Sequence, residues 1–179
     1  ETLASLGADV TLVTGPSSQT SSAPINKIQV ESADDMYDTC MKNFPSSDVV
    51  VMAAAVADFK PKKYSAGKIK KADADSELKL VPTRDILAEM GKKKKKKQLL
   101  IGFALETDNG TSNAKKKLAG KNLDFIVLNS LRDEGAGFEV DTNKITIIYK
   151  NMSKAFEKKS KTGAARDIAD EIISHLKKK

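Results

Sequence analysis

At 179 residues the chain is long enough for one domain with a buried core, and its 40% hydrophobic and 31% charged content is that of an ordinary globular protein. A single cysteine, Cys40, excludes an internal disulfide, and no apolar stretch reaches the roughly 20 residues needed to span a bilayer. The formal charge of +7 would suit a nucleic-acid binder, but residues 92–97 and the three terminal lysines supply nine of the positive charges, and without them the net is −2. The basicity therefore lies in two tracts that read as solvated loop and tail. These features point to a reducing, cytoplasmic setting, with no membrane and no nucleic acid among the partners.

The opening, ETLASLGADVTLVTGP, reads as the end of a helix, then Gly7, then a β-branched strand over residues 8–14. A polar loop, PSSQTSSAP, leads to a short strand at 27–30. Ser32 is placed to cap a helix with Asp34 and Asp35 in its first turn and Met36, Cys40, Met41 and Phe44 on one face. Residues 48–57 are continuously apolar, the pattern of a strand covered on both faces. A short strand at 77–81 and a helix at 84–90, capped by Thr83, come next. LLIGFAL (99–105) is a second buried strand, followed by a helix near 112–120 and the strand DFIVL (124–128). KITIIY (144–149) is the last clear strand, and 163–176 is an amphipathic helix with Ile168, Ile172, Ile173 and Leu176 inward. Buried strands alternating with helices predict an α/β fold, a doubly wound sheet with helices on both faces.

Ligands of such sheets bind outside the carboxyl ends of the strands. Asp58, Glu106, Thr107 and Asn129 fall at those ends, although each could equally be a helix cap or a loop turn. The segment DFKPKKYSAGKIKK (58–71) gathers Lys60, Lys62, Lys63, Lys68, Lys70 and Lys71 around Pro61 and Gly67, as a polyphosphate site would require. Lys117 and Lys121 share a helix face, turned either to the same ligand or to solvent. His175 reads as a surface residue near a helix C-terminus and Cys40 as core. With no Ser-His-Asp or Cys-His pair, and neither G-x-G-x-x-G nor Walker A, covalent catalysis by the protein and the standard phosphate fingerprints are not expected.

The ordered series GADVTLVTGP, AAAVADF, GKIKK, RDIL, IGFALET and KNLDFIVLN resembles phosphopantothenoylcysteine synthetase, the phosphopantothenate–cysteine ligase of coenzyme A biosynthesis, in its bacterial CTP-using form. The resemblance runs over about residues 3–150 and makes the expected sheet Rossmann-like. It implies that CTP, with Mg²⁺, activates the carboxylate of 4′-phosphopantothenate as an acyl-cytidylate, releasing pyrophosphate. Cysteine's amine then displaces CMP. By the same resemblance Lys68 is a catalytic lysine on a flexible loop and shares the nucleotide site with Asp58. Arg84, Asp85, Ile86 and Leu87 form the turn that reads the base through its backbone. Phe103, Lys117 and Lys121 complete the nucleotide site, and Ala53, Ala54 and Ala55 line the substrate pocket; no metal ligand is assigned.

The resemblance also implies a homodimer, with a segment near residues 133–150 in the contact, and fusion to or association with a flavin-dependent phosphopantothenoylcysteine decarboxylase. Family members begin with a strand and a glycine- and serine-rich loop, whose asparagine acts on the acyl-nucleotide. That segment is not in this sequence. Residues 1–179 therefore read as a single ligase domain, N-terminally incomplete, and loss of the segment should cripple the second half-reaction. Two other readings stand beside this one. A non-catalytic nucleotide-binding module would bind without releasing pyrophosphate. A basic RNA- or DNA-binding domain would bind through residues 92–97 with steep salt dependence.

Overall fold

A computed structural model describes residues 1–64, 67–68, 77–106, 110–130 and 141–178. Its elements in chain order begin with α1 (Thr2–Ser5), β1 (Thr11–Thr14), β2 (Asn26–Gln29) and α2 (Ala33–Asn43). After a 3-10 turn (Phe44–Ser46) come β3 (Val49–Met52), β4 (Phe59–Pro61), β5 (Leu80–Pro82), α3 (Ile86–Lys93), β6 (Leu99–Glu106) and α4 (Gly110–Gly120). The chain continues through β7 (Phe125–Ser130), β8 (Thr142–Asn143), β9 (Ile145–Ile148), β10 (Ser153–Ala155), β11 (Lys159–Ser160) and α5 (Lys161–Leu176).

The core is a five-stranded sheet in the order β10-β9-β7-β6-β3, with β3, β6 and β7 parallel and β9 and β10 antiparallel. Alternation along β6 and β7 divides the core in two. Leu99, Ile101, Phe125 and Val127 join Ile145, Ile147, Ala164 and Ile172 on the α5 face. Leu100, Ala104, Ile126 and Leu128 meet Met36, Leu87, Met90 and Leu118 from α2, α3 and α4 on the other. Leu99, Leu100 and Ile101 are wholly buried, and each side chain contributes about 1.5–3 kcal/mol by leaving water. The expected arrangement, helices on both faces of the sheet, is present.

Three expectations are corrected. The apolar run at 48–57 is a strand only over β3, which is half-buried and pairs with β6 on one side, being an edge of this sheet. Beyond Met52 the chain leaves the ladder, and Ala53, Ala54 and Ala55 are exposed. Thr83 does not cap the next helix. Asp85 does, accepting from the Ala88 N–H at 2.9 Å, so α3 starts at Ile86. In α5, Ile168 and Ile172 face inward as expected but Leu176 is 42% exposed. The buried stripe runs instead through Ala164, Ile168 and Ile172 to His175, whose ring stacks on Tyr149 with centroids 5.4 Å apart. His175, half-buried near the helix end, is thus also part of an aromatic cluster with Tyr149 and Phe125.

The lysine run is also less free than a solvated loop. Lys92 and Lys93 form the last turn of α3, Lys95 Nζ donates to the Pro45 carbonyl at 2.8 Å, and buried Gln98 donates to the Phe44 and Ser47 carbonyls. Small peripheral sheets finish the architecture: β1 with β2, β4 with β5, and β8 with β11. The β8–β11 pairing sets Lys159 opposite Asn143 and brings the start of α5, capped by Ser160, to the carboxyl edge of the main sheet.

Candidate functional site

Beyond the ends of β3, β6 and β7 lies a cavity of about 340 Å³. Its floor is Phe103, Ala104 and Leu105, one wall is the alanine stretch from Ala53, and the opposite walls are the residues from Thr83 to Leu87 and the α4 lysines Lys117 and Lys121. Every residue expected in the nucleotide or substrate site lines this one cavity except Lys68, which is exposed and does not. Lys70, Lys71 and Thr107 lie outside the described residues, as do residues 133–140 of the expected dimer segment. Lys62 and Lys63 are exposed, and Glu106 accepts from Asn113.

The 53–58 wall is alanine-rich, so little side chain stands between its peptide groups and a ligand. Thr83 fixes that wall: its hydroxyl donates to the Ala57 carbonyl at 2.6 Å and its N–H to the Asp58 carbonyl at 2.9 Å. Ile86 and Leu87 line the cavity and are buried in the core. As the first residues of α3 they have N–H groups with no intrahelical acceptor, and the N-terminal dipole favours negative charge there.

Arg84, though it lines the cavity, is already engaged by α2. Its guanidinium lies 3.7 Å from the centroid of the Tyr37 ring and reaches Asp38 at 3.0 Å and Asp34 at 3.4 Å, all on α2. Lys60 of β4 pairs with the same Asp34. The Lys60 ammonium, assisted by Arg84, holds the Asp34 carboxyl below its ordinary value. α2 thus anchors both the 83–87 turn and the β4–β5 hairpin. Tyr37, Asp34 and Asp38 are positioning residues the sequence did not single out; the helical spacing of Asp34 and Asp38 was the available signal.

Lys121 donates to Asp85 at 2.6 Å. Burial alone would push the Asp85 carboxyl up, but Lys121 and the Ala88 N–H outweigh it and hold the group below its usual range. A lock behind this pair sets its position. Gly91 passes so close to the α4–β7 turn that a Cβ would stand 2.0 Å from the Lys121 carbonyl oxygen. Asn122, at φ 52°, donates to the Gly91 carbonyl at 2.9 Å. Lys94 donates to the Asn122 carbonyl and to Asp124, with the two charged side chains only 12% and 15% exposed, and Asp124 also accepts the Leu100 N–H at 2.7 Å.

A second cavity, of about 270 Å³, opens on the α5 face of the same edge. It shares Ala53, Phe103, Leu105 and Asn129 with the first and adds Asn143, Ile145, Lys161, Ala164, Ala165 and Ile168. The carboxamide oxygens of Asn129 and Asn143 are buried and have no hydrogen-bond partner among the described residues. An unpaired buried acceptor costs about 1–3 kcal/mol.

Fold and cavities define a Rossmann-like α/β domain whose ligand-sized space lies at the carboxyl edge of a mixed sheet. The chain belongs to the family described as the DNA/pantothenate metabolism flavoprotein C-terminal domain, which matches residues 1–176. It is 51% identical over 173 residues to a cysteine/cysteine sulfinic acid decarboxylase from an unidentified prokaryote, covering 96% of this chain and 48% of that protein. It is 46% identical over 155 residues to the coenzyme A biosynthesis bifunctional protein CoaBC of Bacillus subtilis strain 168, covering 86% of this chain and 38% of that protein. The chain thus spans less than half the length of both relatives. Among solved structures, the C-terminal domain of a CoaBC superposes with a TM-score of 0.80 at 37% identity, over 98% of this chain and 80% of that one.

Proposed function

We propose that this domain carries out the phosphopantothenate–cysteine ligase step of coenzyme A biosynthesis, using CTP. The observation that carries the reading is the convergence in one cavity of the alanine wall, the 83–87 turn, Phe103, Lys117 and Lys121. Relatives named CoaBC, matching over most of this chain, support the same reaction. A decarboxylase partner, fused or associated, is consistent with the bifunctional name of those relatives, and a homodimer is the assembly proposed from the resemblance.

In this reading the free N–H groups of Ile86 and Leu87 meet the cytosine edge, and Asp85 fixes the turn that presents them. Phe103 flanks the nucleotide, while Lys117 and Lys121 draw the phosphates to the α4 wall. The peptides of Ala53, Ala54 and Ala55 receive the acyl group being activated. Lys68, entering from the exposed loop, stabilises charge that builds at the α-phosphate, a role typically worth about 3–4 kcal/mol for one well-placed donor. Amide formation from a mixed anhydride then needs mainly positioning and a neutral amine.

Among the described residues there is no cluster of three His, Cys, Asp or Glu side chains. The donor set suits a Mg²⁺ ion carried on the triphosphate, for which Asp58 at the cavity wall is the carboxylate that would hold it. Bound there, the ion would neutralise phosphate charge.

The test is pyrophosphate release from phosphopantothenate and Mg²⁺ with cysteine withheld, comparing CTP with ATP, in the longest native form of the protein. Release with CTP, and its loss in Lys68→Ala, is expected. Nucleotide binding without release would instead identify a binding module.

A further inference from the structure

We propose that the second cavity, on the α5 face, is the subsite for the amino-acid co-substrate, whose amino group donates to the carboxamide oxygens of Asn129 and Asn143. The inference rests on the ligase reading above and assigns a place to the second nucleophilic partner.

A ligase that joins two molecules needs two adjoining spaces that open on one reacting atom. The two cavities meet across the ends of β6 and β7, sharing Ala53, Phe103, Leu105 and Asn129, so a carboxylate activated against the alanine wall is reachable from the α5 side and Asn129 stands at the junction. Two buried oxygens without partners among the described residues are acceptors open to a donor, and an ammonium group brings three N–H bonds. They come from different strands, Asn129 from β7 and Asn143 from β8, which are fixed by separate pairings. Lys161, the first residue of α5, lines the same cavity and offers positive charge to a carboxylate. Ile145 and Ile168 give the remainder an apolar wall suited to a small uncharged side chain such as a thiol-bearing methylene. The second cavity thus matches an α-amino acid: donor end, anionic end, short apolar branch.

Bound in this way the amine is held for attack. The ammonium loses one proton to solvent, and its nitrogen lone pair forms the new C–N bond at the acyl carbon. The bond from that carbon to the phosphate oxygen breaks, CMP leaves with the electron pair, and the second amine proton passes to the phosphate or to solvent. Two acceptors on the N–H bonds leave the lone pair directed toward the first cavity.

The experiment is steady-state kinetics in the longest native form of the protein. Asn143→Leu should raise KM for cysteine about tenfold or more, with KM for CTP and for phosphopantothenate moving less than about twofold. Asn143→Asp, which offers only acceptors, should keep KM for cysteine within about threefold of the wild type, whereas a site that needed the Asn143 NH₂ would lose it. On the wild type, cysteamine should compete with cysteine, and 3-mercaptopropionate, which lacks the amine, should compete about tenfold more weakly. These last two probes do not depend on any variant folding. Unchanged KM for cysteine in Asn143→Leu, a rise in KM for phosphopantothenate instead, or equal competition by both analogues would overturn the proposal. Failure of the wild type to release pyrophosphate would overturn the ligase reading and this one with it. Release with normal cysteine dependence in the variants would overturn this one alone.

Discussion

In the cavity on the α3 and α4 side, the charged wall residues Arg84, Asp85 and Lys121 already have partners. In the cavity on the α5 side, the carboxamide oxygens of Asn143 and of Asn129, which borders both cavities, have none among the described residues. A paired charge at a part-exposed surface is cheap to hold without ligand, and it can be shared with an arriving anion. A buried acceptor with no partner carries a standing cost that only a donor removes. The first region is therefore pre-set for a ligand rich in negative charge, and the second for a ligand that brings N–H groups. Changes confined to one region should leave the other intact, and each prediction below tests that separation.

The largest effect is expected from Gly91→Ala. The added methyl would meet the Lys121 backbone carbonyl, which cannot rotate aside, so α3 and the α4–β7 turn must separate. Overpacking of this kind costs up to about 3 kcal/mol. Urea unfolding should show a lower midpoint, and nucleotide affinity should fall because the Lys121–Asp85 pair is displaced. The β8–β11 pairing and the Ala164–Ile172 stripe lie on the other face, so cysteine dependence, measured at saturating CTP, should hold. A variant as stable as the wild type would show that the close approach of α3 to the turn is not a constraint.

This lock also marks what the sequence could not reveal. Strong periodicity disclosed β6, β7, β9, α2 and α5, because hydrophobic burial acts locally along one face and leaves a repeat. The motif segments disclosed the first cavity almost entirely, since AAAVADF and RDIL are contiguous and fall at strand ends. The need for glycine at residue 91 arises from a neighbour 30 residues away, and no local pattern encodes that distance. Asn122 has the same origin, with a left-handed backbone that allows its amide to reach Gly91. Residues 48–57 misled because an edge strand followed by a cavity wall is as apolar in composition as a central strand. The ring contacts of His175 were not visible in the sequence, because its partners Tyr149 and Phe125 are 26 and 50 residues earlier in the chain.

Lys121→Met should have an intermediate effect and sharpens the electrostatic half of the comparison. In the proposed site Lys121 contacts a phosphate, and loss of one such charge-assisted contact is worth about 1.5 kcal/mol, so nucleotide affinity should drop about tenfold. The variant also frees Asp85 to titrate differently. In the wild type its carboxyl is held low, so its contribution to stability is complete above the unfolded value near 4 and is lost as pH falls through the lower folded value. Without Lys121, burial dominates and the folded pKa rises. Carboxyl-carbon NMR titration should show that rise, and acid unfolding should begin at higher pH. An unmoved Asp85 titration would mean that the Ala88 N–H alone sets the carboxyl.

Tyr149→Phe should have the smallest effect and probes the α5 face away from either cavity. The Tyr149 hydroxyl donates to Glu171 at 2.6 Å, and Glu171 also receives Lys154 at 2.5 Å, so removing the phenol leaves the carboxylate with its cation. The ring, kept in the variant, continues to stack on His175. The cost should be about 1 kcal/mol near neutral pH, with CTP and cysteine parameters unchanged. Its pH dependence has a definite sign. Burial, then the hydrogen bond to and charge of Glu171, push the phenol pKa well above its ordinary value. The folded state therefore holds this proton after the unfolded chain has released it, and the contribution is complete below the unfolded value near 10 and declines as pH rises beyond it. Wild type and variant should accordingly converge in stability above about pH 10, as the advantage of the hydroxyl titrates away. A constant difference across that range would show that the Tyr149–Glu171 bond contributes nothing specific to the protonated phenol, and that the aromatic stack alone holds this end of α5.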